Sequence, residues 1–153
     1  MKITLLWVGK TRNSRIRELV EDYAGRIRHF TPLTVVEVKP AEGGRPKPIV
    51  LDESERLLAR VLPEDYVVVL NPQGQQMSTE EFTGLIARLR DGSLKHLIFL
   101  VGGHYGLSPA VSSRANQLLS LTRMTMNHEM ARLLLAEQIY RAFTLIHHLP
   151  YHK

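Results

Sequence analysis

The sequence contains no cysteine among its 153 residues. Disulfides, thiolate metal sites and mechanisms that use a cysteine nucleophile are therefore excluded together. Aromatic residues are also sparse, at 7%, but the 44% of hydrophobic and 23% of charged residues are ordinary for a globular protein. A chain of this length predicts one compact domain, residues 1–153, that buries a sizeable core without covalent staples.

Long hydrophobic runs are absent as well, since no run approaches the roughly 20 residues that a membrane-spanning helix needs. The apolar start of the chain, Ile3–Val8, is too short for a signal peptide, and no small-residue cleavage site follows it. We therefore expect a cytoplasmic protein that has no contact with a membrane.

Charge is unevenly distributed, although the formal net charge is only +5. Residues 1–48 carry ten basic and five acidic side chains, whereas residues 49–103 carry five and eight. Residues 104–153 carry five and two, together with five of the seven histidines. Basic ends are consistent with a polyanionic partner such as RNA, because Lys and Arg neutralise phosphates. Many small domains with a similar isoelectric point bind no nucleic acid, so this alternative stays open.

Apolar periodicity predicts an alternation of strands and helices. The predicted strands are Ile3–Val8, Leu33–Lys39, Tyr66–Asn71, His96–Val101 and Gln117–Leu121. The predicted helices are Ile16–Phe30, Val50–Val61, Ser78–Arg90, a short helix that starts at Ser108-Pro109, and Asn127–Ile146. The stretch Pro40–Pro48 has no such periodicity and is predicted to be a basic loop. Continuous Val/Ile/Leu strands separated by helices predict an α/β fold with a parallel sheet that is covered on both faces.

The last predicted helix is apolar around most of its circumference. Twelve of the seventeen residues in Met130–Ile146 are apolar. Such a helix must be buried on more than one side, and a terminal helix is hard to bury twice within one short subunit. We therefore predict a homodimer that forms through this helix.

Three loops follow predicted strands at their carboxyl ends, where open α/β sheets bind ligands. They are Leu70–Gly74, Gly102–Ser108 and Leu121–Asn127. The middle loop begins with two glycines, which allow a ligand to approach the backbone closely. Its spacing matches neither a dinucleotide-binding fingerprint nor a phosphate loop, so a purely conformational role for the glycines stays open. Together the three loops predict a pocket for a medium-sized cofactor.

Histidines are numerous near the C-terminus, but their spacing matches no standard metal site. His128 lacks the second histidine of a zinc protease motif, and His147, His148 and His152 are most simply exposed tail residues. We therefore predict no metal. The chain ends in Pro150-Tyr151-His152-Lys153, residue types that stack on bases, move protons and bind phosphate. A tail without function could have the same composition.

Four motifs along the chain resemble those of one family of bacterial enzymes. They are Gly102–Ser108, Leu119–Thr125, Glu137–Phe143 and the terminal Tyr151–Lys153. Each motif is weak alone, but the four occur in order and at the right separations, and the similarity covers the whole chain. The sequence is similar to the ribosomal RNA large-subunit methyltransferase H family, which belongs to the SPOUT class of methyltransferases.

The resemblance implies a three-layer α/β fold with a deep C-terminal trefoil knot, and an obligate homodimer. It implies an S-adenosylmethionine-dependent enzyme that methylates N3 of a pseudouridine in 23S ribosomal RNA, preferably on assembled ribosomes. The residues that it places against the cofactor are Leu70, Gly102, Gly103, Leu121, Thr122, Arg123, Met124, Thr125 and Met126. It places the tail residues Tyr151, His152 and Lys153 at the target base, where they complete the site of the partner subunit.

Three positions depart from the pattern of the family. Asn127 stands where members often have proline, and Asn71 stands where they often have an acidic residue. Both residues lie beside the expected cofactor loops, so they affect the expected shape of those loops. Lys153 replaces a common arginine and keeps its charge, but it lacks the planar group that binds a phosphate through two hydrogen bonds.

The absence of cysteine also bears on the reaction, because methylation at a pyrimidine carbon normally needs a cysteine nucleophile. A ring nitrogen needs only deprotonation and alignment, and alignment can supply about 7–11 kcal/mol of a barrier. We therefore expect direct transfer without a covalent enzyme intermediate, with His152 helping to remove or orient the N3 proton. Tyr151 would stack on or hydrogen-bond the flipped base. The candidate phosphate contacts are Arg123, Arg132 and Lys153.

Three other functions fit parts of this pattern. They are a SPOUT enzyme that acts on another RNA such as tRNA, a catalytically silent ribosome-binding protein on the same scaffold, and a generic nucleotide-binding α/β domain. The last is disfavoured because both phosphate-loop fingerprints are missing. Affinity for S-adenosylmethionine distinguishes a SPOUT enzyme from a silent ribosome-binding protein, since the silent protein should have none.

Overall fold

The computed structural model describes residues 1–151, in which strands and helices alternate. The strands are β1 (Lys2–Val8), β2 (Leu33–Val38), β3 (Tyr66–Gln76), β4 (His96–Val101) and β5 (Gln117–Ser120). The helices are α1 (Ser14–Ile27), α2 (Pro46–Leu58), α3 (Thr79–Asp91), α4 (Pro109–Arg114) and α5 (His128–Ile146). The predicted alternation is therefore confirmed, and most boundaries differ from the prediction by only a few residues.

Two boundaries differ for identifiable reasons. Helix α2 begins at Pro46, inside the predicted loop Pro40–Pro48, because proline is tolerated in the first turn, where no intrahelical N–H bond is needed. Strand β3 continues past Asn71 to Gln76 after an irregularity, so that Leu70 and Gln75 both pair with one residue of β5. The predicted loop Leu70–Gly74 is therefore an interruption within a strand.

The five strands form one sheet in the order β2-β1-β4-β3-β5. Every neighbouring pair is parallel. The carboxyl ends of the strands therefore meet at one edge of the sheet, as the sequence predicts. The loops that follow β3, β4 and β5 lie side by side at this edge, because these strands are neighbours.

Alternating side chains of the strands separate two hydrophobic layers. Leu5 and Trp7 of β1 face α1, α3 and α5, whereas Leu6 and Val8 of the same strand face α2 and α4. Both faces of the sheet are therefore covered, and the fold is a three-layer α/β structure.

Helix α5 is buried within its own subunit more fully than we expected. It packs against α1 on one flank and α3 on the other, and it also contacts the central strand β4. The subunit thus buries one face of α5, including Leu135, Ile139 and Phe143, whereas Met130 stays exposed, and the homodimer through this helix stays a prediction. Within residues 1–151, no helix has both the length and the apolarity needed to cross a membrane.

Candidate functional site

A cavity of about 310 Å³ lies at the carboxyl edge of the sheet, beyond β3, β4 and β5. It is formed by the three loops that the sequence singled out. Seven of the nine predicted cofactor residues line it: Leu70, Gly102, Gly103, Leu121, Thr122, Met124 and Met126. The structure therefore brings together residues that are more than fifty positions apart in the chain.

The other two predicted cofactor residues, Arg123 and Thr125, are exposed and do not line the cavity. The Nε atom of Arg123 donates a hydrogen bond of 3.0 Å to Oε1 of Gln76 at the end of β3. This contact ties the loop after β5 to the neighbouring strand. It also leaves the guanidinium group at the surface, where a phosphate could reach it.

The two glycines after β4, Gly102 and Gly103, present their backbone to the cavity and also pack too closely against neighbouring atoms to carry a side chain. A Cβ atom on Gly102 would lie 2.9 Å from Cγ of Leu107 and 3.2 Å from the carbonyl oxygen of Gly106. A Cβ atom on Gly103 would lie 2.7 Å from Oε2 of Glu53, whose side chain is buried. The backbone can therefore face the cavity only because neither residue carries a side chain.

The cavity wall carries no fixed charge within residues 1–151, since none of its lining side chains belongs to Asp, Glu, Lys or Arg. Two histidines, His104 and His128, lie in the wall with their ring centroids 6.5 Å apart. Burial lowers the pKa of His128, and the nearby charge of Arg132 lowers it further. His128 is therefore neutral at neutral pH, and it does not oppose a cationic ligand.

A wider cavity of about 960 Å³ opens at the ends of β1 and β2. Gly103, His104 and His128 line both cavities, so the two are adjacent. The basic residues in the wall of the wider cavity are Lys10, Arg12 and Lys39. Sequence reasoning missed this cavity, although the strand-end rule that found the first one applies equally to β1 and β2.

The predicted phosphate contact of Arg132 is not supported by its position. Arg132 is 0% exposed, and its guanidinium group donates hydrogen bonds to the carbonyl oxygens of Val8 and Gly9 and to the hydroxyl of Thr11. It also lies 4.9 Å from the centre of the Trp7 ring. Burial lowers the pKa of Arg132 to about 10, which still leaves it charged at neutral pH. Arg132 therefore fixes the loop after β1 and is not available to RNA.

The C-terminal tail is described as far as Tyr151, and the predicted site residues His152 and Lys153 lie outside the described residues. The Tyr151 ring packs edge-on against Tyr140, with ring centroids 4.7 Å apart. Its hydroxyl lies 3.1 Å from the Tyr23 hydroxyl and 3.3 Å from Oε1 of Glu137. Tyr151 is thus held against α1 and α5, an arrangement that differs from the predicted contact with a target base.

Glu137 and Arg141, one turn apart on α5, form an ion pair with an Nη2 to Oε1 distance of 2.6 Å. Among residues 1–151, no three His, Asp or Glu side chains lie in positions that could hold a metal ion. The chemistry of the site within this range therefore comes from loop backbone, apolar side chains and two histidines.

A parallel α/β sheet with an uncharged cavity at its carboxyl edge defines the class of α/β proteins that bind small ligands at strand ends. A family model described as "Predicted SPOUT methyltransferase" matches residues 1–152. A protein of Geotalea uraniireducens is 42% identical over 153 residues, which are 99% of each chain. One of Geobacter sulfurreducens is 40% identical over 152 residues, again 99% of each chain. Both proteins are named "Ribosomal RNA large subunit methyltransferase H".

This chain belongs to the SPOUT family of methyltransferases. The resemblance inferred from the four sequence motifs is therefore confirmed. A methyltransferase needs a methyl donor and an acceptor, and the structure has two adjacent cavities at the carboxyl edge of the sheet.

Proposed function

We propose that this protein transfers a methyl group from S-adenosylmethionine to N3 of a pseudouridine in 23S ribosomal RNA, on assembled ribosomes. The observation that carries the proposal is the uncharged cavity formed by three strand-end loops in a member of a methyltransferase family. The names of the relatives, which cover the same length of chain, support an acceptor in the RNA of the large ribosomal subunit.

The cavity fits S-adenosylmethionine in size and in chemistry. Its volume of about 310 Å³ is at the lower end of the range for small-ligand sites. The apolar side chains Leu70, Leu121 and Met126 offer contacts to an adenine ring, and the backbone of Gly102 and Gly103 offers hydrogen bonds. A wall without cationic side chains suits a sulfonium ion, because it adds no repulsion. When bound, S-adenosylmethionine supplies an electrophilic methyl group.

The residues of this chain would then have to position the base and manage one proton. Methylation at N3 replaces an N–H bond with an N–CH₃ bond, so the N3 proton must leave. We propose that His152 accepts or orients this proton, since a histidine with a pKa near 6.5 is suited to that task at neutral pH. Direct transfer needs no covalent bond between the base and the enzyme, in keeping with the absence of cysteine.

Phosphate contacts would come from basic residues that are exposed. Arg123 is exposed and remains a candidate, whereas the buried Arg132 does not, and Lys153 stays a candidate from the sequence alone. The basic residues Lys10 and Arg12 line the cavity adjacent to the proposed cofactor site. RNA that places its base between the two cavities would therefore bring its backbone close to these side chains.

We also propose that the protein is a homodimer in which the tail of one subunit completes the site of the other. Tyr151 contacts α5 at Glu137, nine residues after His128 in the cavity wall. At 1.5 Å per residue this separation is about 14 Å along the helix. Two further residues add at most about 7 Å of backbone, which favours a cavity in the partner subunit over the tail's own.

The trefoil knot belongs to this proposal too, together with a single domain over residues 1–153 and a cytoplasmic location. Support for the knot comes from membership of the SPOUT family. A crystal structure tests it directly. If the chain is knotted, its traced backbone path keeps a trefoil when the two ends are pulled apart, whereas the path of an unknotted chain becomes a straight line.

The decisive experiment is transfer of labelled methyl from S-adenosylmethionine to ribosomes from cells that lack this modification. Free 23S RNA and tRNA serve as parallel substrates, and the labelled nucleoside is identified after digestion. We expect label in N3-methylpseudouridine on ribosomes. Label in tRNA would contradict the substrate, and absence of both label and cofactor binding would indicate a silent scaffold.

A further inference from the structure

The side-chain cluster around Tyr151 is more elaborate than a chain end requires. It joins α1, α5 and the tail through the hydroxyl of Tyr23, the carboxylate of Glu137 and the phenol of Tyr151. A terminal residue without a role usually has few contacts of this kind. The cluster therefore calls for an explanation that the cofactor cavity does not supply.

Glu137 is fixed from several sides. Its Oε1 atom accepts hydrogen bonds of 2.9 and 2.6 Å from Nε and Nη2 of Arg141, and its Oε2 atom accepts one of 2.7 Å from Gln138. The Glu137 side chain is only 16% exposed. A carboxylate held in this way is a rigid acceptor for the Tyr151 hydroxyl, because moving it would break charge-assisted hydrogen bonds.

The phenol of Tyr151 has its hydrogen-bonding capacity used within the subunit. Its one hydroxyl hydrogen is donated to Oε1 of Glu137, and one of its lone pairs accepts from the Tyr23 hydroxyl. Burial, followed by these hydrogen bonds and the Glu137 charge, raises the pKa of Tyr151 above its usual value. The Arg141 guanidinium lies 4.9 Å from the centre of the Tyr151 ring, and Tyr140 packs edge-on against it. Little of this ring is left for a nucleic acid base.

We propose that Tyr151 is an anchor for the C-terminal tail, and that Tyr23 and Glu137 are positioning residues that hold it. The anchor fixes the position of the residue that precedes His152 and Lys153, to which the proposed function gives the work at the target base. This inference rests on the proposed function for its consequence in catalysis. It replaces the expectation that Tyr151 itself stacks on the base.

A double-mutant cycle on the two hydroxyl groups tests the anchor. We compare Tyr23→Phe, Tyr151→Phe and the double variant in single-turnover methyl transfer, with ribosomes and cofactor at saturation. Each single variant should lower the rate about fivefold or more, as expected for the loss of at least one hydrogen bond near 1 kcal/mol. The double variant should be no slower than Tyr151→Phe alone, because that substitution already removes the contact that Tyr23→Phe removes. The Kd for S-adenosylmethionine should not change.

Two further variants separate an anchor from a general structural role. Glu137→Gln should reduce the rate in the same manner, and Glu137→Asp should restore part of it if a carboxylate is what the phenol needs. Tyr66→Phe is the matched control, because among residues 1–151 the Tyr66 hydroxyl has no hydrogen-bond partner. It should have the rate and the stability of the wild type.

Several results would contradict the anchor. If Tyr151→Phe slows transfer while Tyr23→Phe does not, or if the two effects multiply in the double variant, Tyr151 acts on the substrate and the anchor is wrong. Retention of the full rate by both single variants would overturn it equally.

A measurement that does not depend on methyl transfer tests the anchor independently of the proposed function. Carboxypeptidase B should release Lys153 several times faster from Tyr23→Phe, Tyr151→Phe and Glu137→Gln than from the wild type or Tyr66→Phe. Faster release in a protein that methylates no RNA would support the anchor and contradict the proposed function. Equal release from all variants would contradict the anchor whatever the activity.

Discussion

The two ends of α5 border regions that are built in different ways. At the amino end, Asn127 caps the helix and His128 lines the cofactor cavity, whose wall carries no Asp, Glu, Lys or Arg side chain within residues 1–151. Toward the carboxyl end, Glu137 and Arg141 meet Tyr151 in a cluster of paired polar side chains. The cofactor cavity is open and uncharged, whereas the cluster around Tyr151 is closed and held by charge-assisted hydrogen bonds.

The two regions therefore depend on the amino-acid sequence in different ways. A cavity whose shape comes from backbone depends on glycines and tolerates changes in many side chains. A cluster of polar side chains depends on single atoms, because an unpaired buried donor or acceptor costs free energy. Substitutions should therefore affect cofactor affinity at one end and tail position at the other, with little exchange between them.

The largest effect should follow from Gly102→Ala. The added Cβ atom would lie 2.9 Å from Leu107 and 3.2 Å from the Gly106 backbone. Overpacking of this kind costs about 2–3 kcal/mol, which corresponds to roughly 30- to 150-fold in Kd. Calorimetric titration with S-adenosylmethionine measures it. The control is Gly84→Ala in α3, where a Cβ atom meets nothing within 4 Å, and wild-type affinity in Gly102→Ala would show that the glycine loop does not form the site.

Arg132→Met should destabilise the protein by about 2 kcal/mol, because the carbonyl oxygens of Val8 and Gly9 lose their buried donors. Urea unfolding gives this value. Arg123→Met, at an exposed position, should change stability by less than about 0.5 kcal/mol. Unchanged stability together with weaker ribosome binding in Arg132→Met would restore the original expectation of a phosphate contact.

Lys10→Gln should weaken ribosome binding by a few-fold and reduce the slope of log K against log[salt] by about 1, as for one lost phosphate contact. Filter binding across a salt series measures the slope. Lys95→Gln is the comparison, because Lys95 is exposed just before β4, at the opposite edge of the sheet. Equal slopes for both variants and the wild type would show that Lys10 in the wider cavity makes no phosphate contact.

The smallest effect concerns pH. The pKa of His128 is lowered in the folded protein, so the unfolded chain binds its proton more readily. The stabilisation due to neutral His128 is complete above the unfolded pKa of 6.5 and is lost as pH falls toward the folded pKa. His128→Gln should therefore unfold with a flatter dependence on pH below 6.5. Identical slopes in urea unfolding at several pH values would show that His128 is not buried in solution.

The strand-end cavity could be predicted from the sequence because it follows from rules of local pattern. Parallel strands place their carboxyl ends at one edge, and seven of nine predicted cofactor residues lie in the cavity found there. The role of Arg132 could not be predicted, because its partners Val8, Gly9 and Thr11 are more than 120 positions away. A basic residue on a helix gives no local sign that it is buried.

The contacts of the C-terminal tail were also hard to predict, because they too join residues that are far apart in the sequence. Its composition correctly drew attention to Tyr151, but the contact with Tyr23 spans 128 positions. The burial of α5 on more than one side was predicted from its apolar circumference, but periodicity does not show that α1 and α3 are the elements that cover its flanks. Contacts between distant side chains are thus the part of the site that pattern alone leaves undetermined.

Mixed dimers test the central claim most directly, namely that the cavity of one subunit works with the tail of the other. One subunit carries Gly102→Val to block the cofactor cavity, and the other lacks residues 151–153. Each should be inactive alone. After subunit exchange, a mixture should recover about one quarter of the wild-type rate, because half of the dimers then have one complete site. No recovery, once mass spectrometry shows that mixed dimers have formed, would contradict the account.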